Sequence, residues 1–325
     1  MALLDCLKGA VPLVFSNSTK ADLLLFIVTV LAAISWGFSK ESLALMPPLL
    51  FVSSRFFLAG ILLALIAHKQ LAKLHWDQFR QAIIVGTSFS LGTCFWIMGL
   101  FTGENLGVGA FLTSLAIVLV PIIQKVAFGQ AQSPNTWAAL PVASLGLLLL
   151  SVNGDVSTDS SVLYYLGATL FFALFFALNA RASTERELKE TGVYSKKVPA
   201  LALTAITLTT VGLFSAFASY LFEPWKPTFF GITPELLWWV GLSFIIGTAL
   251  RFLMQTYAQS LSSHSHGVVI LLLEPIWTAL LGVVWYSESM TLVQLCGCTL
   301  IFMSLLVTRW SVIKKVIRPS FMLEP

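Results

Sequence analysis

Residues 267–286 read Gly-Val-Val-Ile-Leu-Leu-Leu-Glu-Pro-Ile-Trp-Thr-Ala-Leu-Leu-Gly-Val-Val-Trp-Tyr. A membrane helix takes about 20 apolar residues, and this run meets that length while carrying Glu274 followed directly by Pro275. A carboxylate at membrane depth is costly and faces a cavity or a partner rather than lipid, which makes Glu274 a candidate for function. Pro275 withdraws a backbone donor and predicts a kink or break here. Carbonyls freed at such depth are tolerated only where protein or a watery cavity covers them, so the stretch is expected to point inward.

The rest of the chain agrees with that environment. Its 325 residues are 57% hydrophobic and only 10% charged, with mean hydropathy +0.88. Soluble domains average about 25% charged residues, so the composition predicts a polytopic, all-α membrane protein. The net charge of +4 is spread over loops and gives no nucleic-acid-binding patch. Cys6, Cys94, Cys296 and Cys298 lack zinc-ligand spacing, and Cys296 and Cys298, two apart in an apolar helix, read as plain helix packing. His264 and His266 form a His-x-His pair without further ligands nearby, so no metal is expected. Residues 1–20 do not read as a cleaved signal peptide, since Asp5 precedes a short apolar run broken by Pro12; an interfacial, cytoplasmic segment is expected instead.

Apolar runs place ten membrane helices at residues 21–39, 48–67, 81–101, 107–128, 135–152, 161–182, 198–221, 236–257, 267–286 and 291–310. Positive flanks stay cytoplasmic. Fifteen Lys and Arg residues fall on one side of this arrangement, among them Lys69, Lys73, Arg181 and Lys197, against only Lys40 and Lys226 on the other. An added or missing helix would destroy that contrast, so both termini are expected in the cytoplasm. Arg55 and Arg251 are the two basic residues left inside helices.

The chain also repeats itself. Val85-Gly86, Ser88-Phe89 and Gly92-Thr93 recur with the same spacing as Val240-Gly241, Ser243-Phe244 and Gly247-Thr248. The match falls where a division into two sets of five helices predicts it, and an odd number of spans makes the halves opposite in topology. Inverted repeats of this kind are a signature of secondary transporters, with substrate bound near the midplane between the halves. The expected organisation is residues 1–20 as N-terminal segment, 21–153 and 154–311 as the two repeats, and 312–325 as a basic cytoplasmic tail.

Three stretches resemble the EamA branch of the drug/metabolite transporter superfamily. They are Ser35-Trp36-Gly37 through Pro47-Pro48 to Arg55-Phe56-Phe57-Leu58-Ala59; Ala110 to Leu115 with Pro121; and Leu273-Glu274-Pro275 through Ser287-Glu288. The resemblance implies a ten-helix inner-membrane carrier with a central cavity lined by helices 1, 3, 4, 6, 8 and 9. Members include exporters of amino acids and related metabolites, and some importers. Gly129-Gln130 departs from the family's usual Gly-Glu at the exit of the fourth helix.

Candidate binding residues are the polar and aromatic groups away from helix ends. Arg251 and Glu274 both lie roughly 10 Å deep from the same side, at 1.5 Å rise per residue, and could pair. Such a pair is either a clamp between consecutive helices or a site where substrate or a proton competes for Glu274, which is therefore the coupling candidate. Arg55 suits a carboxylate or phosphate, or else snorkels or bonds helix-end carbonyls. Trp36, Trp96 and Trp277 sit away from the interfaces, and Trp96 occupies the repeat position equivalent to Arg251. Thr113, Ser114, Asn179 and Gln255 complete the set, with helix-to-helix bonding as the alternative role.

No Walker-type loop is present, so the driving force is expected from a gradient, a proton or exchange, with no cofactor. The leading expectation is a secondary transporter, not an enzyme, working as a monomer or homodimer in the lipid bilayer on a small-molecule substrate, and exporting amino acids or related amphipathic compounds. Import of a nucleoside-like or sulfonium metabolite is the alternative. A membrane-embedded lipid enzyme would need clustered acidic, His or Ser groups at an interface, and Asp155 and Asp159 stand alone.

Overall fold

A computed structural model describes residues 17–102, 106–151, 160–184, 186–187, 194–195, 197–225, 231–261, 270–286 and 291–308. Helices α1 (Asn17–Leu43), α2 (Pro48–Leu71), α3 (Trp76–Thr102), α4 (Leu106–Val126) and α5 (Pro134–Ser151) precede α6 (Ser160–Ala182) and α7 (Ala200–Phe222). Next comes α8 (Pro234–Leu261), then α9 (Glu274–Tyr286) and α10 (Leu292–Thr308). The expectation of a purely helical chain meets one small exception, a two-residue antiparallel ladder pairing Arg186 with Ser195 and Glu187 with Tyr194 between α6 and α7. The calls on residues 1–16, on His264 and His266, on Asp155 and Asp159, and on the basic tail lie outside the described residues.

Among the described residues six helices are long and apolar enough to cross a membrane by length and composition: α1, α2, α3, α6, α7 and α8. Shorter apolar segments run through α4, α9 and α10. Leu65, Phe217 and Val284 turn their side chains outward and are more than half exposed. Such an apolar exterior is that of a multi-pass membrane protein.

Packing is pairwise. The most extensive contacts join α2 to α7, α3 to α6 and α5 to α10, with α4 also on α6 and both α8 and α9 on α1. Where α2 meets α7, a Cβ on Gly60 would lie 2.5 Å from Thr209 Oγ1 and one on Gly212 2.6 Å from the Phe57 Cα. Small residues let backbones approach this closely where burial from water supplies no attraction between helices. At the start of α2, the Pro48 ring removes one orphan N–H, and the Glu223 carboxylate accepts the next two, from Leu49 N at 2.7 Å and Leu50 N at 2.8 Å. Gly129, with φ +62°, closes α4 through Gly129 N to Lys125 O and Gln130 N to Gln124 O.

Two helices differ from the simple spans expected of them. The run 267–286 is not one helix. Residues Ile270 to Leu273 form a 3₁₀ turn and the α-helix starts at Glu274, putting Pro275 in its first turn, where a missing N–H costs nothing. The span expected at 236–257 reaches from Pro234 to Leu261, but its centre, Ile245–Leu250, is a π-helical turn. Thr248 Oγ1 consequently donates to Ser243 O five residues back, whereas its repeat equivalent Thr93 donates to Phe89 O four residues back. The repeated sequence thus carries two different helical registers.

Candidate functional site

The break at Glu274 and the π turn at Ile245–Leu250 lie beside the same central cavity. Its volume is about 90 Å³, and its wall takes Trp36 from α1, Arg55 from α2, Trp96 from α3, Thr113 and Ser114 from α4, Phe175 from α6, Arg251 from α8 and Glu274 from α9. Roughly 30 Å³ per water gives room for about three waters, well short of the roughly 300–1,000 Å³ of an occupied ligand pocket. The site is contracted relative to such a pocket.

Glu274 is the hub. Trp36 Nε1 donates to its Oε1 at 2.9 Å, and Arg251 Nη2 donates to its Oε2 at 3.2 Å. The pair anticipated from equal depth is therefore formed, with side chains 15% and 21% exposed for Arg251 and Glu274. Starting a helix at Glu274 also sets its carboxylate at the positive end of the α9 dipole. Trp96 packs edge-on against Trp36, ring centroids 5.0 Å apart, and fixes the indole that holds Glu274. The Arg251 guanidinium lies 4.8 Å from the Phe252 ring centroid.

Arg55 also reaches the cavity wall, but its donors are engaged. Its Nη1 donates to Ser39 Oγ at 2.7 Å, its Nη2 to Ser35 Oγ at 2.9 Å and its Nε to Thr248 Oγ1 at 2.9 Å. It ties α2 to α1 and to the π turn of α8 through side-chain hydroxyls rather than through helix-end carbonyls. Gly247 lets that turn approach α1, since a Cβ there would lie 2.6 Å from Ser35 Oγ.

Three candidates lie off the cavity wall. Trp277 donates to Thr29 Oγ1 at 3.0 Å and packs edge-on against Phe26, joining α9 to α1. Asn179, 1% exposed, donates through Nδ2 to Gln259 Oε1 between α6 and α8. Gln255 is 1% exposed on α8, outside the residues that line the cavity. Residue type and depth are the same for wall and for packing, so only helix rotation separates these three from Trp36 or Trp96.

Sequence reasoning missed the phenylalanines of the wall. Phe89 stacks on Phe175 at 4.2 Å between centroids, and Phe252 closes on Phe89 at 5.0 Å. The usable signals were the repeat position of Phe89 and the four-residue spacing of Phe171, Phe172, Phe175 and Phe176 on α6. A second, larger cleft of about 810 Å³ lies between the α1–α2 turn, α3 and the end of α7. Its walls are apolar, and its one carboxylate, Glu223, is already bonded to α2.

Among the described residues no group of three or more His, Cys, Asp or Glu gathers to hold a metal. The cavity offers instead one bonded anion–cation pair among aromatic rings. That arrangement can bind a small amphipathic or zwitterionic molecule, or exchange a proton at the carboxylate.

The chain matches the model of the EamA-like transporter family twice, over residues 19–152 and 159–310. It is 25% identical over 287 residues, 85% of this chain and 83% of the relative, to an uncharacterized transporter of Archaeoglobus fulgidus. A second uncharacterized transporter of that organism is 26% identical over 203 residues, 62% of this chain and 67% of the relative. A crystal structure of a protein with 15% identity superposes at TM-score 0.69, covering 91% of this chain and 98% of that one, a likeness of fold.

Proposed function

The chain belongs to the EamA-like transporter family, and from that premise we propose that it is a secondary transporter exporting amino acids or related amphipathic metabolites across the cell inner membrane. The observation that carries this reading is the Trp36–Glu274–Arg251 constellation in a contracted cavity. A zwitterionic substrate presents its ammonium to Glu274 and its carboxylate to Arg251, so one internal ion pair gives way to two with the ligand. The ring of Trp36, Trp96 and Phe175 suits an apolar side chain. Glu274 is the coupling group in this proposal, since protonation releases Arg251.

The architecture proposed is ten membrane helices in two inverted halves, residues 21–153 and 154–311, with both termini cytoplasmic. Two observations support it. The family matches twice, at 19–152 and 159–310. The helix contacts also map onto themselves when the first five helices are exchanged for the last five: α3–α6 becomes α8–α1, α4–α6 becomes α9–α1, and α2–α7 and α5–α10 are unchanged.

The test is thermal stabilisation of the purified chain by a panel of amino acids, amines, nucleosides and sulfonium compounds, repeated with Glu274→Gln. A ligand at one hundred times its Kd stabilises the folded state by about 2.7 kcal/mol. Stabilisation of the parent by amino acids, absent in the variant, is expected; stabilisation by nucleosides or sulfonium compounds instead overturns the substrate assignment. Flux measured in both directions in vesicles separates export from import.

A further inference from the structure

Six buried side-chain atoms find no hydrogen-bond partner among the described residues, and four of them share one stripe of α8: Arg251 Nε, Gln255 Nε2, Gln255 Oε1 and Gln259 Nε2. Arg251, Gln255 and Gln259 are spaced four residues apart in the α-helical part of α8 that follows the π turn. Gln255 and Gln259 are 1% and 5% exposed. At the lower end of the stripe Gln259 accepts from Asn179, one turn before α6 ends at Ala182 and close to the end of α8 at Leu261. At its upper end Arg251 is bonded to Glu274. The stripe therefore runs from the central carboxylate to the end of the bundle that the basic loops assign to the cytoplasm.

Buried polar groups are hydrogen-bonded to protein or to ordered water. Four residues of α-helix rise about 6 Å, which is the span of two hydrogen bonds through a single water at roughly 2.8 Å each. Ala258 and Leu272 are buried in one apolar cluster, against which Met254 packs, and Gln255 and Gln259 are themselves nearly closed to the exterior. We infer that Arg251, Gln255 and Gln259 hold a file of water that carries protons between Glu274 and the cytoplasmic end of α8. This rests on the reading of Glu274 as the coupling carboxylate. The proton arrives on Glu274 Oε2 or Oε1, the carboxyl becomes neutral, and Arg251 is freed; the reverse transfer restores the pair. The charged groups that face Glu274 are Arg251 on α8 and, across the cavity, Arg55 on α2, while the walls from α1, α3, α4 and α6 present none.

The experiment is a pH jump on the purified full chain followed by infrared difference spectroscopy, with the carboxyl band of Glu274 identified by its loss in Glu274→Gln. Gln255→Leu and Gln259→Leu are expected to slow the appearance of that band by an order of magnitude and leave its final amplitude unchanged. Gln255→Ser, which keeps a hydroxyl and makes room for water, is expected to restore the rate. Gln255→Leu removes an amide that no side chain or backbone group among the described residues bonds and puts an apolar group of similar size in its place, so the fold is expected to persist, which thermal unfolding checks. Unchanged rates in both leucine variants overturn the water file alone. A Glu274 that never takes a proton overturns the coupling role as well, which separates the two failures.

Discussion

Trp36 on α1 and Arg251 on α8 hold opposite oxygens of one carboxylate, Glu274 on α9, at 2.9 and 3.2 Å. Two successive helices and one from the other end of the chain thus meet at one charge. Glu274→Gln keeps a single acceptor oxygen and leaves Arg251 without a counter-ion. The expected outcome is a fold that persists, less stable by about 1.5–3 kcal/mol, with transport abolished. Thermal unfolding and vesicle flux check both halves, and flux at the parental level would remove Glu274 from the site.

Trp36→Phe retains an aromatic ring against Trp96 and deletes the Nε1 donor. It is expected to cost about 1 kcal/mol and to weaken ligand-induced stabilisation. Trp96→Leu alone removes the edge-on contact at 5.0 Å. A double-mutant cycle of Trp36→Leu with Trp96→Leu, each of which removes the ring contact, should return a coupling of about 0.5–1.5 kcal/mol, and zero coupling would mean that Trp96 does not hold the Trp36 indole in place.

The matched glycines of α8 are not equivalent. A Cβ on Gly247 would sit 2.6 Å from Ser35 Oγ, while one on Gly241 would meet nothing within 4 Å. Gly247→Ala should therefore push α8 from α1 and cost about 1–3 kcal/mol, disturbing Arg55 as well. Gly241→Ala should be neutral or stabilising by up to about 1 kcal/mol. Equal melting temperatures for the two variants would contradict this contrast.

Glu223 closes the N-terminal end of α2 with bonds of 2.7 and 2.8 Å to Leu49 N and Leu50 N. Its Oε2 also accepts from Ser219 at 2.7 Å. Glu223→Ala removes this cap and should lower stability by about 1–2 kcal/mol without changing which ligands bind. Loss of ligand stabilisation in a folded Glu223→Ala would instead link the apolar cleft beside it to the central site.

The proposed topology is checked by accessibility labelling. With the four native cysteines replaced, Lys69→Cys and Lys196→Cys should react with an impermeant thiol reagent from the same face of the membrane, and Lys226→Cys from the other. Labelling of Lys69→Cys and Lys196→Cys from opposite faces would rule out the two-fold arrangement of five plus five spans.

Much of the fold was legible because its signals are local. Apolar runs of membrane length are properties of consecutive residues. The Arg251–Glu274 pair was legible for the same reason, since two charges at equal depth on successive helices have few other partners. The π turn was hidden. The repeat Val-Gly-x-Ser-Phe is the same in α3 and α8, and only the packing of Gly247 against Ser35 and the demand of Arg55 on Thr248 distinguish the second copy.

By itself, the sequence determined that the chain crosses a membrane many times, that the helix kinks or breaks beside Glu274, and that the family is one of transporters. Each follows from hydrophobic length, the missing N–H of Pro275 or a sequence-wide match. Tertiary structure alone decided which polar residues share a cavity. Trp36 and Trp96 turn to Glu274, Trp277 turns to Thr29, Arg55 is spent on Ser35, Ser39 and Thr248, and Gln255 is left on the stripe below. The physical reason is helix rotation: one residue turns a side chain by about 100°, and that angle is set by neighbours far away in the chain.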